Sequence, residues 1–518
     1  MHRLFLFAVA SVLLIRCGGG GHGQAITGGI AGGHGPAGGA GGAIGSGGSS
    51  GGTGGAGGVI GSGGSSGGAS NAGGVTDSGG SSGTGGVTGS GGSSETGGVT
   101  GSGGLSGAGG VTSKGGTTTS AGGTTSGVGG ISGSGGSSAG DSNTVQVVMD
   151  QGPPNVGYVN GLFVTVTLCE PGTNTCQTID HVLVDTGSTG LRVLESVLTL
   201  SLPAITNSAG AALGECTQFV DGTAWGPVVK ADVKLGGETA SAIPVQAIGE
   251  KTFPMPTTGT CVSGQPITDL QSLLANGIIG VGIYQQDCGA ACVQATRNPG
   301  MYFACTSATV GACKSTAVPL DSQVRNPIIG FAVDNNGLII QLPSVPANGL
   351  VSATGKLVFG IGTQPNNGLG TATVITPVDV YGNIGTTFPV GGTNYTGFID
   401  SGTNTYTFLD SATSGLALCT SPQLSSFYCP SATKDLSATI FGGNKASAPV
   451  SFSVANASKL SQTSFVFNDL AGPMPGFPTT GTSVPDFLWG LPFFYGRNVY
   501  TAIELQDTPS GQGPYVAF

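Results

Sequence analysis

Two short segments place an aspartate, a glycine and hydroxyl side chains in the same order. Residues 185–188 read Asp-Thr-Gly-Ser and residues 400–403 read Asp-Ser-Gly-Thr, each after an apolar run. This pattern predicts a carboxylate at the end of a buried strand, on a tight glycine turn. We therefore take Asp185 and Asp400 as candidate catalytic residues; the alternative is that both are turn aspartates of an unrelated β protein. The supporting turn residues are Thr186, Gly187, Ser188, Ser401, Gly402 and Thr403.

A second pattern follows each aspartate at nearly equal spacing. Gly280, in the apolar run 277–282, lies 95 residues after Asp185, and Gly490 lies 90 residues after Asp400. The order of strand, aspartate turn, apolar pair and glycine thus occurs twice. This duplication predicts two similar lobes that face each other, with one aspartate from each at the junction.

Histidine content and charge restrict the other chemistries. Of four histidines, only His181 lies beyond residue 141, which argues against a zinc site with several His ligands and against Ser-His-Asp or Cys-His catalysis. We expect no metal and no cofactor. The net charge of −10 argues against nucleic acid or anionic lipid as a partner.

The N-terminal part has the composition of export and tether segments. Residues 1–17 combine a basic start with an apolar run that is too short to span a bilayer, which predicts a signal peptide. Cys17 directly after it is a candidate lipidation site, although Arg16 stands where lipoprotein signals have a small residue. Ordinary cleavage with release, or a misplaced start codon, is the alternative. Residues 18–141 form a Gly/Ser/Thr-rich repeat, which we expect to be a disordered linker.

From residue 142 the composition becomes that of a folded protein. Short β-branched or aromatic runs, such as 145–148, 162–168 and 356–359, alternate with Gly, Pro, Asn and Asp. This pattern predicts a mainly β fold, with residues 265–276 as the best helix candidate. We expect an N-terminal β lobe over 142–340 and a C-terminal β lobe over 341–518.

The folded part contains an even number of cysteines, as is typical of disulfides in exported proteins. A metal cluster is disfavoured because tandem Cys-x-x-Cys pairs are absent from the sequence. The clustering suggests the pairs Cys169–Cys176, Cys216–Cys261, Cys288–Cys292, Cys305–Cys313 and Cys419–Cys429. This connectivity is a hypothesis. We expect an exported protein, either a cell-surface or outer-membrane lipoprotein or a secreted one.

The chain resembles the pepsin-like aspartic peptidases over about 145–518. Residues 184–193 resemble the first active-site segment of that family, 355–360 the strand that opens its second lobe, and 489–500 its final block. The resemblance implies an all-β, bilobal pepsin-like acid protease fold with few short helices. The sequence also resembles, more closely, a family of bacterial exported proteins of unknown function.

The pepsin-like resemblance implies peptide-bond hydrolysis by a water molecule that is activated between Asp185 and Asp400. Two carboxylates about 3 Å apart share one proton, so one acts as base towards water and the other polarises the substrate carbonyl. Ser188 and Thr403 would hydrogen-bond the outer carboxylate oxygens. The expected partner is a peptide or protein substrate, the membrane is reached only through a lipid anchor, and the protein is a monomer.

In that family a β-hairpin flap closes over the substrate, and residues 218–226 match it. The flap candidates are Phe219, Asp221, Gly222 and Trp225. Asp221-Gly222 is a hairpin-turn signal. Phe219 stands where the family usually has a Tyr, and Arg192 where it often has an aromatic residue. These departures favour the alternative of a non-catalytic surface protein that binds peptide or glycan in the interlobe cleft.

Overall fold

The computed structural model describes residues 142–219, 222–257, 261, 264–389, 393–474 and 486–518. The predicted signal segment with Cys17 and the Gly-rich tract lie outside the described residues, as does Asp221 of the predicted hairpin turn. The described residues fall within a single compact unit.

The described part of the chain is built mainly from strands, so the expectation of a mainly β fold is confirmed. The strands of the first part are β1 (Thr144–Asp150), β2 (Gly161–Cys169), β3 (Cys176–Asp185), β4 (Thr189–Leu194), β5 (Ala212–Gln218), β6 (Gly222–Leu235), β7 (Glu238–Ile248), β8 (Gln265–Ile267), β9 (Gly277–Val281), β10 (Tyr302–Cys305), β11 (Cys313–Ser315) and β12 (Gly337–Gln341). Those of the second part are β13 (Ala353–Phe359), β14 (Val374–Ile375), β15 (Ile384–Phe388), β16 (Thr393–Ile399), β17 (Tyr406–Phe408), β18 (Lys434–Phe441), β19 (Ser447–Val454), β20 (Ala471–Gly472), β21 (Phe487–Trp489), β22 (Asn498–Ala502), β23 (Asp507–Thr508), β24 (Gly511–Gln512) and β25 (Tyr515–Ala517).

Helices in the described residues are short. The α-helical turns are α1 (Leu270–Leu273) and α2 (Ser411–Ser414). The 3-10 turns are Glu195–Val197, Gly289–Ala291, Leu320–Ser322, Pro327–Gly330, Pro422–Leu424, Ala457–Lys459 and Leu491–Phe494.

The helix expected over 265–276 is wrong in extent. Its first residues form β8, which pairs with β6, because backbone hydrogen bonds to a neighbouring strand outweigh local helix preference there. Asp269 caps the one remaining turn, since its side chain accepts from the backbone N–H groups of Gln271 and Ser272. Leu274 ends that turn in the left-handed conformation, with φ of 60°.

Most strands belong to one sheet that includes both halves of the folded sequence. Its order is β11-β10-β5-β6-β7-β4-β9-β3-β2-β1-β13-β12-β22-β25-β14, and β8 joins β6. A second sheet has the order β19-β18-β15-β16-β21-β17-β20. The division into lobes between residues 340 and 341 stays a prediction; that boundary falls inside β12, which pairs with β13 in the larger sheet.

A buried hydrophobic core contacts both sheets. Strands β2, β3, β6 and β9 contribute alternating Val, Ile and Leu side chains from the larger sheet. On the smaller sheet an aromatic group fills the core, with Phe408 and Phe487 stacked at 4.9 Å between ring centroids. Trp489 is fully buried there and its indole N–H donates to the hydroxyl of Thr386 at 3.0 Å. This core holds both aspartate turns on rigid strands.

Five disulfides link the ten cysteines of the folded part, in the pairing hypothesised from their clustering. They join Cys169–Cys176, Cys216–Cys261, Cys288–Cys292, Cys305–Cys313 and Cys419–Cys429. Their number suggests an exported protein, because disulfides persist in oxidising compartments. Within the residues that the structure describes, no helix is both long and apolar enough to cross a membrane.

Candidate active site

Each aspartate turn is held by a strand that inserts between two others. In the first half β9 pairs in parallel with β3, with Asp185 opposite Gly280, and antiparallel with β4. In the second half β21 pairs in parallel with β16 and antiparallel with β17, and its residue Trp489 accepts from the backbone N–H of Asp400 at 2.9 Å. The two halves therefore position their aspartates by the same local topology.

Gly280 permits this packing. A side chain at Gly280 would lie 2.5 Å from the backbone nitrogen of Thr189 and 2.7 Å from the hydroxyl of Ser188. At Gly490 it would lie 2.0 Å from the carbonyl oxygen of Thr405. The repeated glycines thus allow the inserted strand to approach each turn closely.

The structure brings the carboxyl groups of Asp185 and Asp400 into hydrogen-bond contact. The hydroxyl of Ser188 donates to Oδ2 of Asp185 at 2.6 Å, and the hydroxyl of Thr403 donates to Oδ2 of Asp400 at 2.6 Å. Each carboxylate is thus oriented by a hydroxyl three residues further along its own turn. The equal distances give the pair a local twofold arrangement.

The inner carboxylate oxygens accept from the glycines of the turns. The backbone N–H groups of Gly187 and Gly402 donate at 2.8 Å to Oδ1 of Asp185 and of Asp400 respectively. The N–H of Gly187 also reaches Oδ1 of Asp400 at 3.2 Å. A side chain on Gly187 would lie 2.8 Å from Cγ of Asp400, and one on Gly402 would lie 2.7 Å from Cγ of Asp185. Only glycine leaves room for the two carboxyl groups to meet.

The second residue of each turn locks the two turns to each other. The hydroxyl of Thr186 accepts from the backbone N–H of Ser401 at 3.0 Å and donates to the carbonyl of Ile399 at 3.1 Å. The hydroxyl of Ser401 accepts from the N–H of Thr186 at 3.1 Å and donates to the carbonyl of Val184 at 2.7 Å. These four bonds join chain segments more than 200 residues apart and fix the spacing of the carboxyl groups.

Burial and mutual repulsion set the protonation of the pair. Burial raises the pKa of Asp400 well above its usual value, and the negative charge of Asp185 raises it further. Burial also raises the pKa of Asp185, while the hydrogen bonds from Asp400, Ser188 and Gly187 and the positive charge of Arg192 oppose that rise. The two carboxyl groups therefore titrate as one unit, and burial favours a proton on the pair.

Neither carboxyl group is exposed to solvent. A cavity of about 70 Å³ lies beside the first turn, and its lining includes Gly187, Ser188 and Phe398. A larger cavity of about 580 Å³ is lined by β18, β19 and residues 492–497 and includes neither aspartate.

A family model for proteins of unknown function, DUF3443, matches residues 139–518. The chain belongs to this family. No curated protein matches the sequence. Among solved structures, the aspartic proteinase from Irpex lacteus is similar over 72% of this chain and 96% of its own, with 14% identity and a TM-score of 0.43. A similarity at that level carries no argument about activity. The comparisons confirm the expectation that the chain belongs to a family of unknown function.

In this DUF3443 chain, β5 and β6 form a hairpin over the segment expected to be a flap. The backbone N–H of Phe219 donates to the carbonyl of Gly222 at 2.7 Å, which closes the hairpin. Phe219 is buried and packs with residues of α1 and β8. Trp225 is buried against Phe303, and its indole N–H donates to the carbonyl of Phe253 at 2.7 Å. Trp225 thus packs inside the hairpin base.

A cluster of charges beside the first turn was not expected from the sequence. Arg192 is fully buried, and its Nη2 lies 2.6 Å from Oε1 of Glu215 and 2.7 Å from Oδ2 of Asp287. Its Nε donates to the hydroxyl of Thr217 at 2.9 Å, and the hydroxyl of Tyr302 donates to Oδ1 of Asp287 at 2.8 Å. We call these five residues the Arg192 cluster. The signal available in the sequence was Arg192 itself, a charge inside an apolar strand.

Proposed function

We propose that this DUF3443 chain is an exported pepsin-like aspartic endopeptidase. The observation that carries the proposal is the contact between the carboxyl groups of Asp185 and Asp400, each held by its own glycine N–H and its own hydroxyl. A pair of turn aspartates without a chemical role has no need for two buried carboxyl groups in contact, since such contact costs free energy.

The proposed reaction uses the single proton of the pair. Asp185, the ionised member, takes a proton from a water molecule, and Asp400 donates a hydrogen bond to the carbonyl oxygen of the scissile peptide. The water oxygen bonds to the carbonyl carbon, so a tetrahedral gem-diol forms without a covalent enzyme intermediate. Formation of the diol transfers the Asp400 proton to the carbonyl oxygen. The C–N bond then breaks as the amide nitrogen receives the proton that Asp185 took from water, and a diol hydroxyl returns a proton to Asp400.

Substrate entry requires the site to open, because both carboxyl groups are buried. The lining of the smaller cavity includes Thr186, Gly187 and Ser188 of the first turn, and the β5–β6 hairpin is the expected flap. Movement of such a hairpin would admit both the peptide and the attacking water.

The N-terminal segments determine where this domain would act. We propose that residues 1–17 direct export and that Cys17 carries a lipid, so that 18–141 tether residues 142–518 to a membrane as a monomer. Loss of membrane association in Cys17→Ser, with secretion of the full domain, would support the anchor. Equal membrane association of the variant would refute it.

The peptidase proposal is tested with the purified protein and acid-denatured protein substrates from pH 3 to 7, with and without pepstatin. We expect cleavage in the acidic range, inhibition by pepstatin, and a loss of at least 100-fold in Asp185→Asn and in Asp400→Asn. The matched control is Asp321→Asn, an exposed aspartate, which should retain activity.

Absence of cleavage at every pH, with wild type equal to Asp185→Asn, would overturn the proposal. The second candidate is then a binding protein for peptide or glycan. The absence of a hydroxyl on Phe219 favours that candidate. Retention of peptide by the inactive wild-type protein would support it.

A further inference from the structure

The Arg192 cluster joins three elements around the candidate active site. Arg192 lies in β4, which begins directly after the first aspartate turn, and its Nη1 donates to the carbonyl of Thr189 at 2.6 Å. Glu215 and Thr217 lie in β5, the first strand of the hairpin. Asp287 lies in the loop after β9 and lines the cavity beside the first turn.

We propose that Arg192 is a positioning residue, whose contacts with Glu215, Thr217 and Asp287 form an anchor that fixes the β5–β6 hairpin against the first aspartate turn. The geometry of the anchor stands on its own, and its effect on cleavage rests on the proposed peptidase function. Phe219 has no hydroxyl group that could form a hydrogen bond to fix the hairpin, and the anchor provides this attachment instead.

The charge count of the cluster requires one proton. A guanidinium and two carboxylates, all fully buried, would carry an uncompensated negative charge, which is costly in a protein interior. Burial raises the pKa of Asp287 well above its usual value, and the negative charge of Glu215 raises it further. Tyr302 also faces Asp287 but donates its own proton to Oδ1, so it cannot receive one there.

The hydrogen bonds place that proton between the two carboxyl groups. Oε2 of Glu215 is buried and accepts from no N–H or hydroxyl group of the described residues. The carboxyl group of Asp287 is in hydrogen-bond contact with Glu215. One proton shared between the carboxyl groups of Asp287 and Glu215 would make the cluster neutral.

The neutral state of Asp287 separates its role from that of Glu215 experimentally. Asp287→Asn keeps a neutral group of the same shape, whereas Glu215→Gln replaces the carboxyl group that lies 2.6 Å from Nη2 of Arg192. Arg192→Lys keeps the positive charge but loses the planar fork that reaches three partners at once. Asp287→Asn should therefore leave the β5–β6 hairpin unchanged. Glu215→Gln and Arg192→Lys should loosen it.

Hydrogen exchange measured by mass spectrometry tests this on the purified full chain near pH 6. In peptides from β5 and β6 we expect Glu215→Gln and Arg192→Lys to exchange roughly tenfold faster or more than wild type, as loss of a charged hydrogen bond implies. Asp287→Asn should exchange within about twofold of wild type. Peptides from β18 and β19, a hairpin remote in sequence, serve as the internal control and should not change.

The proposal would be overturned if the β5–β6 peptides of both Glu215→Gln and Arg192→Lys exchanged at the same rate as in wild type. Equal acceleration in Asp287→Asn would also overturn it, because Asp287 would then carry a required charge. If neither of the first two variants folds, Thr217→Val, which removes the hydroxyl that accepts from Nε, takes their place. Thr217→Val should accelerate exchange in the same peptides. Exchange at the wild-type rate in this variant would contradict the anchor.

A second measurement addresses catalysis. With a cleavable peptide we expect Arg192→Lys to raise KM more than it lowers kcat, because a loose hairpin weakens substrate binding while the aspartate pair is intact. Asp321→Asn, an exposed residue outside the cluster, should leave both parameters within about twofold. An inactive wild-type protein would refute the peptidase function, whereas the exchange result, which needs no cleavage, would still decide the anchor.

Discussion

The buried carboxyl group of Asp469 makes stability depend on pH, and Asp469→Asn should remove that dependence. Asp469 is 3% exposed, and its Oδ1 has no hydrogen-bond partner among the described residues. Burial raises the pKa of Asp469 from 3.8 to about 6. Because a pKa unit corresponds to about 1.4 kcal/mol, the ionised side chain destabilises the fold by about 3 kcal/mol relative to its neutral form.

The sign follows from the order of ionisation. As pH rises, the unfolded chain loses the Asp469 proton near pH 4, before the folded chain does near pH 6. The stability contributed by neutral Asp469 is therefore complete below pH 4 and is lost as pH rises through 6. Asn cannot ionise, so we expect the variant to gain up to about 3 kcal/mol relative to wild type between pH 4 and 7.

Urea unfolding, followed by the fluorescence of the buried Trp225 and Trp489, measures both proteins at pH 4 and pH 7. The amide group can change the free energy of unfolding by an amount that does not depend on pH. This amount cancels, because the test compares the difference between wild type and Asp469→Asn at pH 4 with the same difference at pH 7. The exposed Asp321→Asn is the control and should show no such change. A difference between wild type and Asp469→Asn that is equal at both pH values would refute the reasoning.

Two further substitutions test the packing around the aspartate pair. Gly402→Ala should reduce peptidase activity at least 100-fold in a peptide assay, because its methyl group would lie 2.7 Å from Cγ of Asp185; Gly368→Ala, whose methyl group would meet nothing within 4 Å, should be neutral, and equal losses would contradict this. Asn160→Ala should lower the free energy of unfolding by about 3 kcal/mol or more in urea titrations. The buried Asn160 amide exchanges hydrogen bonds with Asn404, Phe467 and Tyr495, so a loss under 1 kcal/mol would show that they contribute little.

The local features of the site could be predicted from sequence because they repeat within a few residues. The segments at Asp185 and Asp400 each contain the aspartate, the glycine that lets the carboxyl groups meet and the hydroxyl that orients them. Four of the disulfides close loops of ten residues or fewer, and Cys216–Cys261 is the remaining pair. Proximity in sequence therefore determines these contacts.

The features that sequence reasoning missed depend on contacts between distant segments. Arg192 reaches Glu215 and Asp287, which lie 23 and 95 residues away, and its position in an apolar strand does not reveal which acids it meets. Similarly, residues 265–267 form a strand only because β6 offers a free edge. Tertiary pairing decides such segments, and local propensity cannot reveal it.

Several buried aspartates have pKa values that are raised in the folded protein. Asp185 and Asp400 share a proton, Asp287 carries one in the Arg192 cluster, and Asp469 holds one up to about pH 6. In each case burial raises the pKa in the folded state, so the unfolded chain ionises first and stability falls as pH rises above about 4. A fold that is most stable when these acids are neutral matches a reaction that needs one proton on the aspartate pair. The contribution of these acids to stability and the single proton that the proposed chemistry requires thus depend on the same burial of carboxyl groups.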